Sequence, residues 1–69
     1  MYTLTETYRT KAEAKAAVKA GTQLHIVRDD GTVLKQASGD GFAIRGKLDH
    51  YKEWTGTARV AYGVVKVIR

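Results

Sequence analysis

Residues 10–21, TKAEAKAAVKAG, carry the one helical pattern of this chain, and its apolar side is nearly all alanine: Ala14, Ala17, Val18 and Ala20. Methyl groups bury useful area only when the helix axis lies close to its support. A helix of about ten residues is also too short to persist alone in water. The chain must therefore press this segment against a sheet. The ends of the helix are marked. Thr10 followed by Glu13 is a capping box, in which the hydroxyl takes the N–H three residues on and the carboxylate reaches back. Gly21 suits the left-handed position after a helix end. The expected helix spans residues 11–20.

The remainder reads as strands. YTLTETY (residues 2–8) alternates threonine with larger side chains, as a short strand does. QLHIVRD (23–29) and TVLKQA (32–37) flank Asp30-Gly31, a pair that favours a type I′ hairpin turn, where both central residues take positive φ. Adjacent Ile26 and Val27 leave the buried face of residues 23–29 open. SGDG (38–41) reads as a loop. From residue 42 to 54, Phe42, Ile44, Gly46 and Leu48 alternate with Ala43, Arg45, Lys47 and Asp49, the pattern of a half-buried strand. Thr55-Gly56 can turn the chain, and residues 57–69 return. That register sets Ile44 near Val67, Leu48 near Gly63, Arg45 opposite Lys66 and Lys52 opposite Arg59. Gly46 and Gly63 then fall inside long paired strands, where glycine marks a bulge or strong coiling. The expectation is a single α+β domain over residues 1–69, in the order β-α-β-β-β-β. It is a small curved antiparallel sheet of about five strands with one short helix, and a small barrel is the near alternative.

Sixty-nine residues without cysteine exclude disulfides and thiolate metal sites. A core of this size stabilises only marginally, so self-association is expected, with the long last strand offering an edge for a homodimer. No apolar run approaches the roughly 18 residues of a membrane span. The first ten residues lack the regions of a signal peptide, so a cytoplasmic location is expected.

The formal net charge is +5, and it is unevenly spread. Residues 1–41 hold six Lys/Arg and five Asp/Glu, whereas residues 42–69 hold six and two. A basic half points to nucleic acid, an anionic surface or an acidic protein, and its bland reading is solubility. In the expected register like charges face each other, which destabilises a sheet unless something such as a line of phosphates compensates. Tyr51, Trp54 and Tyr62 lie among these charges. Rings beside cations are how sequence-tolerant single-strand binders work, with bases stacked on rings and cations tracking the backbone. The expected phosphate contacts are Arg45, Lys47, Lys52, Arg59 and Lys66, and Tyr51 and Trp54 are the expected stacking rings. Trp54 reads equally as turn packing, and Tyr62 reads as core ahead of a stacking platform. Lys11, Lys15 and Lys19 recur every four residues on the helix, forming either a second phosphate ridge or a solvated face.

The run Phe42-Ala43-Ile44-Arg45-Gly46-Lys47-Leu48-Asp49-His50, with Tyr51, Trp54, Gly56, Thr57 and Arg59, resembles a β-hairpin tail of bacteriophage- and mobile-element-encoded proteins. Several of those proteins act in DNA replication or processing. Gly46, Lys47, His50, Gly56, Thr57 and Arg59 match its pattern. Lys47 and Leu48 stand in reversed order, and the spacing to Gly56 is longer. The resemblance covers residues 42–69 and implies a phage or mobile-element origin rather than an activity.

Nothing in the residues calls for catalysis. His25 and His50 have no cysteine or third ligand nearby in sequence for a zinc site. Asp29 and Asp30 fall short of a calcium loop and suit a turn. Gly39, Gly41 and Gly46 lack the spacing of a phosphate-cradling loop. Ser38 has no partnered base. No cofactor is expected. The leading expectation is a non-catalytic protein that binds single-stranded DNA or RNA. The alternative is a small phage protein that inhibits a host or defence protein by covering an acidic groove with the same basic, aromatic hairpin.

Overall fold

The computed structural model describes all 69 residues. The elements run β1 (Thr3–Leu4), α1 (Lys11–Lys19), β2 (Ile26–Val27), β3 (Val33–Leu34), β4 (Gly39–Gly46), β5 (Trp54–Ala61) and β6 (Val64–Ile68). The α+β class with one helix holds. The strands form two three-stranded antiparallel sheets, β1-β2-β3 and β4-β5-β6, instead of one five-stranded sheet. The physical reason lies in residues 35–38. Their hydrogen-bonding groups do not continue a β3–β4 hairpin but serve the β5–β6 turn. Gly63 N–H donates to Ala37 O at 2.7 Å, and Tyr62 N–H to Ser38 Oγ at 2.9 Å. The sheets meet only at single residues. Tyr2 forms one parallel bridge to β4, through its N–H to Ala43 O and its carbonyl from Arg45 N–H. On the far side Val65 N–H donates to Leu24 O at 2.8 Å. The barrel is therefore not closed by ladders. These same bonds occupy part of the β6 edge that the dimer expectation relied on.

The helix follows its local signals. Thr10 Oγ1 accepts from Glu13 N–H at 3.2 Å. The Glu13 carboxylate, however, turns to the Arg9 guanidinium at 2.6 Å. At the other end Thr22 N–H reaches Ala17 O, Gly21 N–H reaches Val18 O, and Gly21 has φ +94°. That pair of bonds is the Schellman closure that glycine favours. Ala14 is fully buried and packs with Leu24, Ile26, Ile44, Ala58, Val60, Val65 and Ile68 in the core between the helix and the two sheets. Leu24 and Ile26 thus settle which face of residues 23–29 is inward. No helix is long and apolar enough to cross a membrane.

The C-terminal hairpin differs most from expectation. Thr55-Gly56 does not turn the chain but lies inside β5, where Thr55 pairs with Arg45 and Gly56 with Ile44. A Cβ on Gly56 would stand 2.5 Å from Arg69 O and 2.9 Å from Lys11 Cδ, so glycine there allows strand, helix and chain end to approach. The chain turns at residues 47–53 and again at Tyr62-Gly63. Arg45 therefore faces Thr55 rather than Lys66, Arg59 faces Val67, and Lys52 lies in a turn. The expected opposition of like charges does not arise. The loop expected at residues 38–41 is partly strand, with an irregularity in the ladder between Gly39 and Phe42.

Candidate nucleic-acid interface

Burial alternates along β4 and β5. Ile44, Ala58 and Val60 point inward, and Ala43, Arg45, Thr55, Thr57 and Arg59 are exposed on the opposite face. That outer face carries two arginines over a floor of threonine and alanine. Its only acidic member is Asp40, on the irregular start of β4. The Arg69 guanidinium at 3.2 Å holds the Asp40 carboxyl below its usual range, with Arg59 adding a smaller electrostatic pull.

Past the Arg45 end of this face comes the β4–β5 connection. His50 takes φ +72° there, and Tyr51 N–H closes a turn on Leu48 O at 2.9 Å. The connection carries exposed Lys47 nearby in chain and exposed Tyr51 and Lys52. The Arg9 guanidinium stands 5.6 Å from the Tyr51 ring centre, within cation–π range. Arg9 also pairs with Glu13, holding that carboxyl low mainly through the hydrogen bond it donates. The loop tyrosine is thereby tied to the start of the helix. Sequence pattern alone missed this role of Arg9, because Arg9 and Tyr51 are far apart in the chain.

Trp54 is placed differently from Tyr51. It pairs directly with Gly46, and a Cβ on Gly46 would lie 2.3 Å from the indole ring. Its Nε1–H donates to Tyr8 O at 3.1 Å, and the residue is half-buried. The ring covers a strand glycine and anchors the segment ahead of the helix. It also helps line a small cleft of about 70 Å³ with Thr3, Glu6, Arg45 and Lys47.

Lys66 belongs to a third location. It is the extra residue where the β5–β6 register shifts, since Arg59 pairs with Val67 and Val60 with Val65. Such a bulge re-aims a side chain. Lys66 lines a groove of about 260 Å³ with Lys15 and Lys19 of the helix, over Val18, Val67 and Ile68. Lys11 stands at the head of the same helix, its stem over Gly56. The ten expected contact residues are thus divided. Arg45 and Arg59 share the outer sheet face, Lys47, Tyr51 and Lys52 lie at one end of it, and Lys15, Lys19 and Lys66 form a separate basic groove. Of the twelve Lys/Arg side chains, only Arg9 and Arg69 are ion-paired with a side-chain carboxylate.

Tyr62 overturns the core reading made from sequence. It is 85% exposed at the tip of the β5–β6 hairpin, with φ +51°. The signal that could have found it is the Tyr-Gly pair between two apolar runs, since glycine supplies half of a type I′ turn. His25 is committed to this hairpin. A carbonyl only accepts, so the 2.8 Å contact between His25 Nδ1 and Gly63 O places the proton on Nδ1. No group of three or more His, Asp or Glu side chains is arranged to hold a metal ion. The chain matches no protein-family model, no curated protein and no solved structure.

Proposed function

We propose that this protein binds single-stranded nucleic acid without catalysis, through the outer face of β4–β5 and the adjoining loop. The resemblance of residues 42–69 suggests a phage or mobile-element setting. The observation that carries the reading is the set of free cations beside an exposed ring. Arg45, Arg59, Lys47 and Lys52 have no carboxylate partner within ion-pair distance, and Tyr51, 44% exposed, lies in the loop that carries Lys52. Phosphates would meet the cations and a base would stack on Tyr51, a combination that tolerates any sequence because every base has a π-face. Trp54 acts in this scheme as a support: it holds the strand end beneath the loop, and its loss would read as lost stability. Lys15, Lys19 and Lys66 give a second, separate site for phosphate.

Fluorescence anisotropy on a labelled oligonucleotide at several salt concentrations tests this. Each phosphate contact on a single strand adds about 0.7 to the slope of log affinity against log salt. Arg59→Ala is expected to weaken binding to all sequences alike and to lower the slope by about that amount. Tyr51→Ala is expected to cost about 1–3 kcal/mol with the slope unchanged. A parent protein that binds no oligonucleotide at low salt ends the reading. Capture from lysate with nuclease present then asks whether an acidic protein is the partner.

A further inference from the structure

We infer that Tyr62 is a second stacking platform for the same strand, so that the ligand runs along β5 from Tyr51 to Tyr62. The inference rests on the single-strand reading above.

Two observations carry it. The first is backbone geometry without a packing return. A residue with a Cβ is disfavoured in the left-handed region, where asparagine or glycine sits easily. Tyr62 sits there at φ +51° with its side chain in solvent. The surroundings over-determine the tip. Ser38 Oγ holds the Tyr62 N–H, Ala37 O holds the Gly63 N–H, and His25 Nδ1–H donates to the Gly63 carbonyl. The Gly63 Cα also lies against the Lys35 backbone. A bulky residue whose backbone is pinned in an unfavourable conformation, with nothing for its ring to pack on, is the kind of outlier found at binding sites. A pinned backbone lowers the ordering cost when a partner docks.

The second observation is placement. Tyr51 and Tyr62 are the two most exposed aromatic residues, and they sit just beyond opposite ends of β5. Between them β5 exposes Thr55, Thr57 and Arg59, with Arg45 beside Thr55. At about 3.3 Å per residue the eight residues of β5 span about 26 Å. A stacked strand advances about 3.4 Å per nucleotide, so about eight nucleotides cover the length of β5 between the two rings, and fewer suffice when stretched. Lys35, which has no carboxylate partner, has its backbone against the Tyr62-Gly63 tip, as Lys52 follows Tyr51 in the loop.

The test is Tyr62→Asn, which suits the positive φ and so should fold at least as well as the parent, checked by thermal melting. By anisotropy on a 12-nucleotide oligomer it is expected to bind about 5- to 150-fold more weakly, with an unchanged salt slope. Tyr62→Phe is expected to retain the parent affinity. In a length series the parent's affinity should climb to about eight nucleotides, and Tyr62→Asn should lose the last part of that climb. If the parent binds and a folded Tyr62→Asn binds equally at every length, Tyr62 is no platform and the Tyr51 surface stands without it. If the parent binds no oligonucleotide, both readings fall together.

Discussion

The molecule contains two short turns that end in glycine, Asp30-Gly31 and Tyr62-Gly63, and they are built on opposite principles. The first makes its turn from its own side chain. Gly31 N–H donates to Arg28 O, Arg28 N–H donates to Thr32 O, and the Asp30 carboxylate accepts from Thr32 N–H at 3.0 Å. Only Gly31 takes positive φ, so the hairpin is a three-residue loop with glycine in the left-handed position, not the type I′ turn that Asp-Gly suggested. The second has no short polar side chain of its own to help it. Both Tyr62 and Gly63 take positive φ, the type I′ signature, and the partners that hold them come from residues 25, 35, 37 and 38. One turn is local chemistry. The other is imposed by the ladder pairs Ala61–Val64 and Val60–Val65 and by a neighbouring segment.

The sharpest way to break this contrast is alanine at each glycine. In Gly63→Ala the new Cβ would lie 2.1 Å from Lys35 O and 2.3 Å from Lys35 C, and backbone atoms cannot step aside cheaply. A loss of at least about 3 kcal/mol is expected from clash and left-handed strain together. For a domain this small each kcal/mol lowers Tm by about 4–8 °C. In Gly31→Ala nothing lies within 4 Å of the new Cβ, so only the conformational cost of about 1–2 kcal/mol is expected. Equal Tm losses in the two variants would sink the distinction between a local and an imposed turn.

A smaller effect separates the turns by pH. The Thr32 N–H bond holds the Asp30 carboxyl below its ordinary 3.8. A carboxyl depressed in the folded state stabilises above its unfolded value, and that contribution fades as pH falls through the folded value. Asp30→Asn is therefore expected to lower Tm slightly at pH 7 and to converge on the parent below the depressed Asp30 value, followed by melting across pH. The Tyr62 turn is held by the Ser38 hydroxyl, by backbone groups and by the His25 ring, with no carboxylate among them. Ser38→Ala, which removes only the hydroxyl, should give a Tm decrement that stays constant across the range in which Asp30 titrates. A decrement at Ser38 that tracked pH would show that the two turns are coupled.

The same division explains what could be read in advance. The helix was legible because its start, its stop and its small apolar face all lie within residues 10–21, and bonds spanning three to five residues complete both ends. The strand faces were legible as well, since Ile44, Ala58 and Val60 keep a two-residue alternation through β4 and β5. Partners were not. Thr55-Gly56 and Tyr62-Gly63 both interrupt the same run, and alternation continues unchanged through the first. For the candidate surface, residue types were legible and grouping was not. Lys66 joined the helix lysines through a bulge, and Trp54 turned to Gly46 and Tyr8.

One capped helix with a methyl-lined face, alternating strands, and a basic half without cysteine can be read from the chain alone. Each of these follows from residue type and near neighbours. Long-range contacts selected which glycine turns the chain, and with it the register, the two-sheet division and the exposure of Tyr62. Gly56 is kept in the strand by its pairing with Ile44 and by the bonds between Thr57 and Arg69, and Gly63 is bent by its bonds to Ala37 and His25 against the Lys35 backbone. Those forces act between residues far apart in the chain, and a periodic pattern specifies which way a side chain points without specifying what stands opposite it.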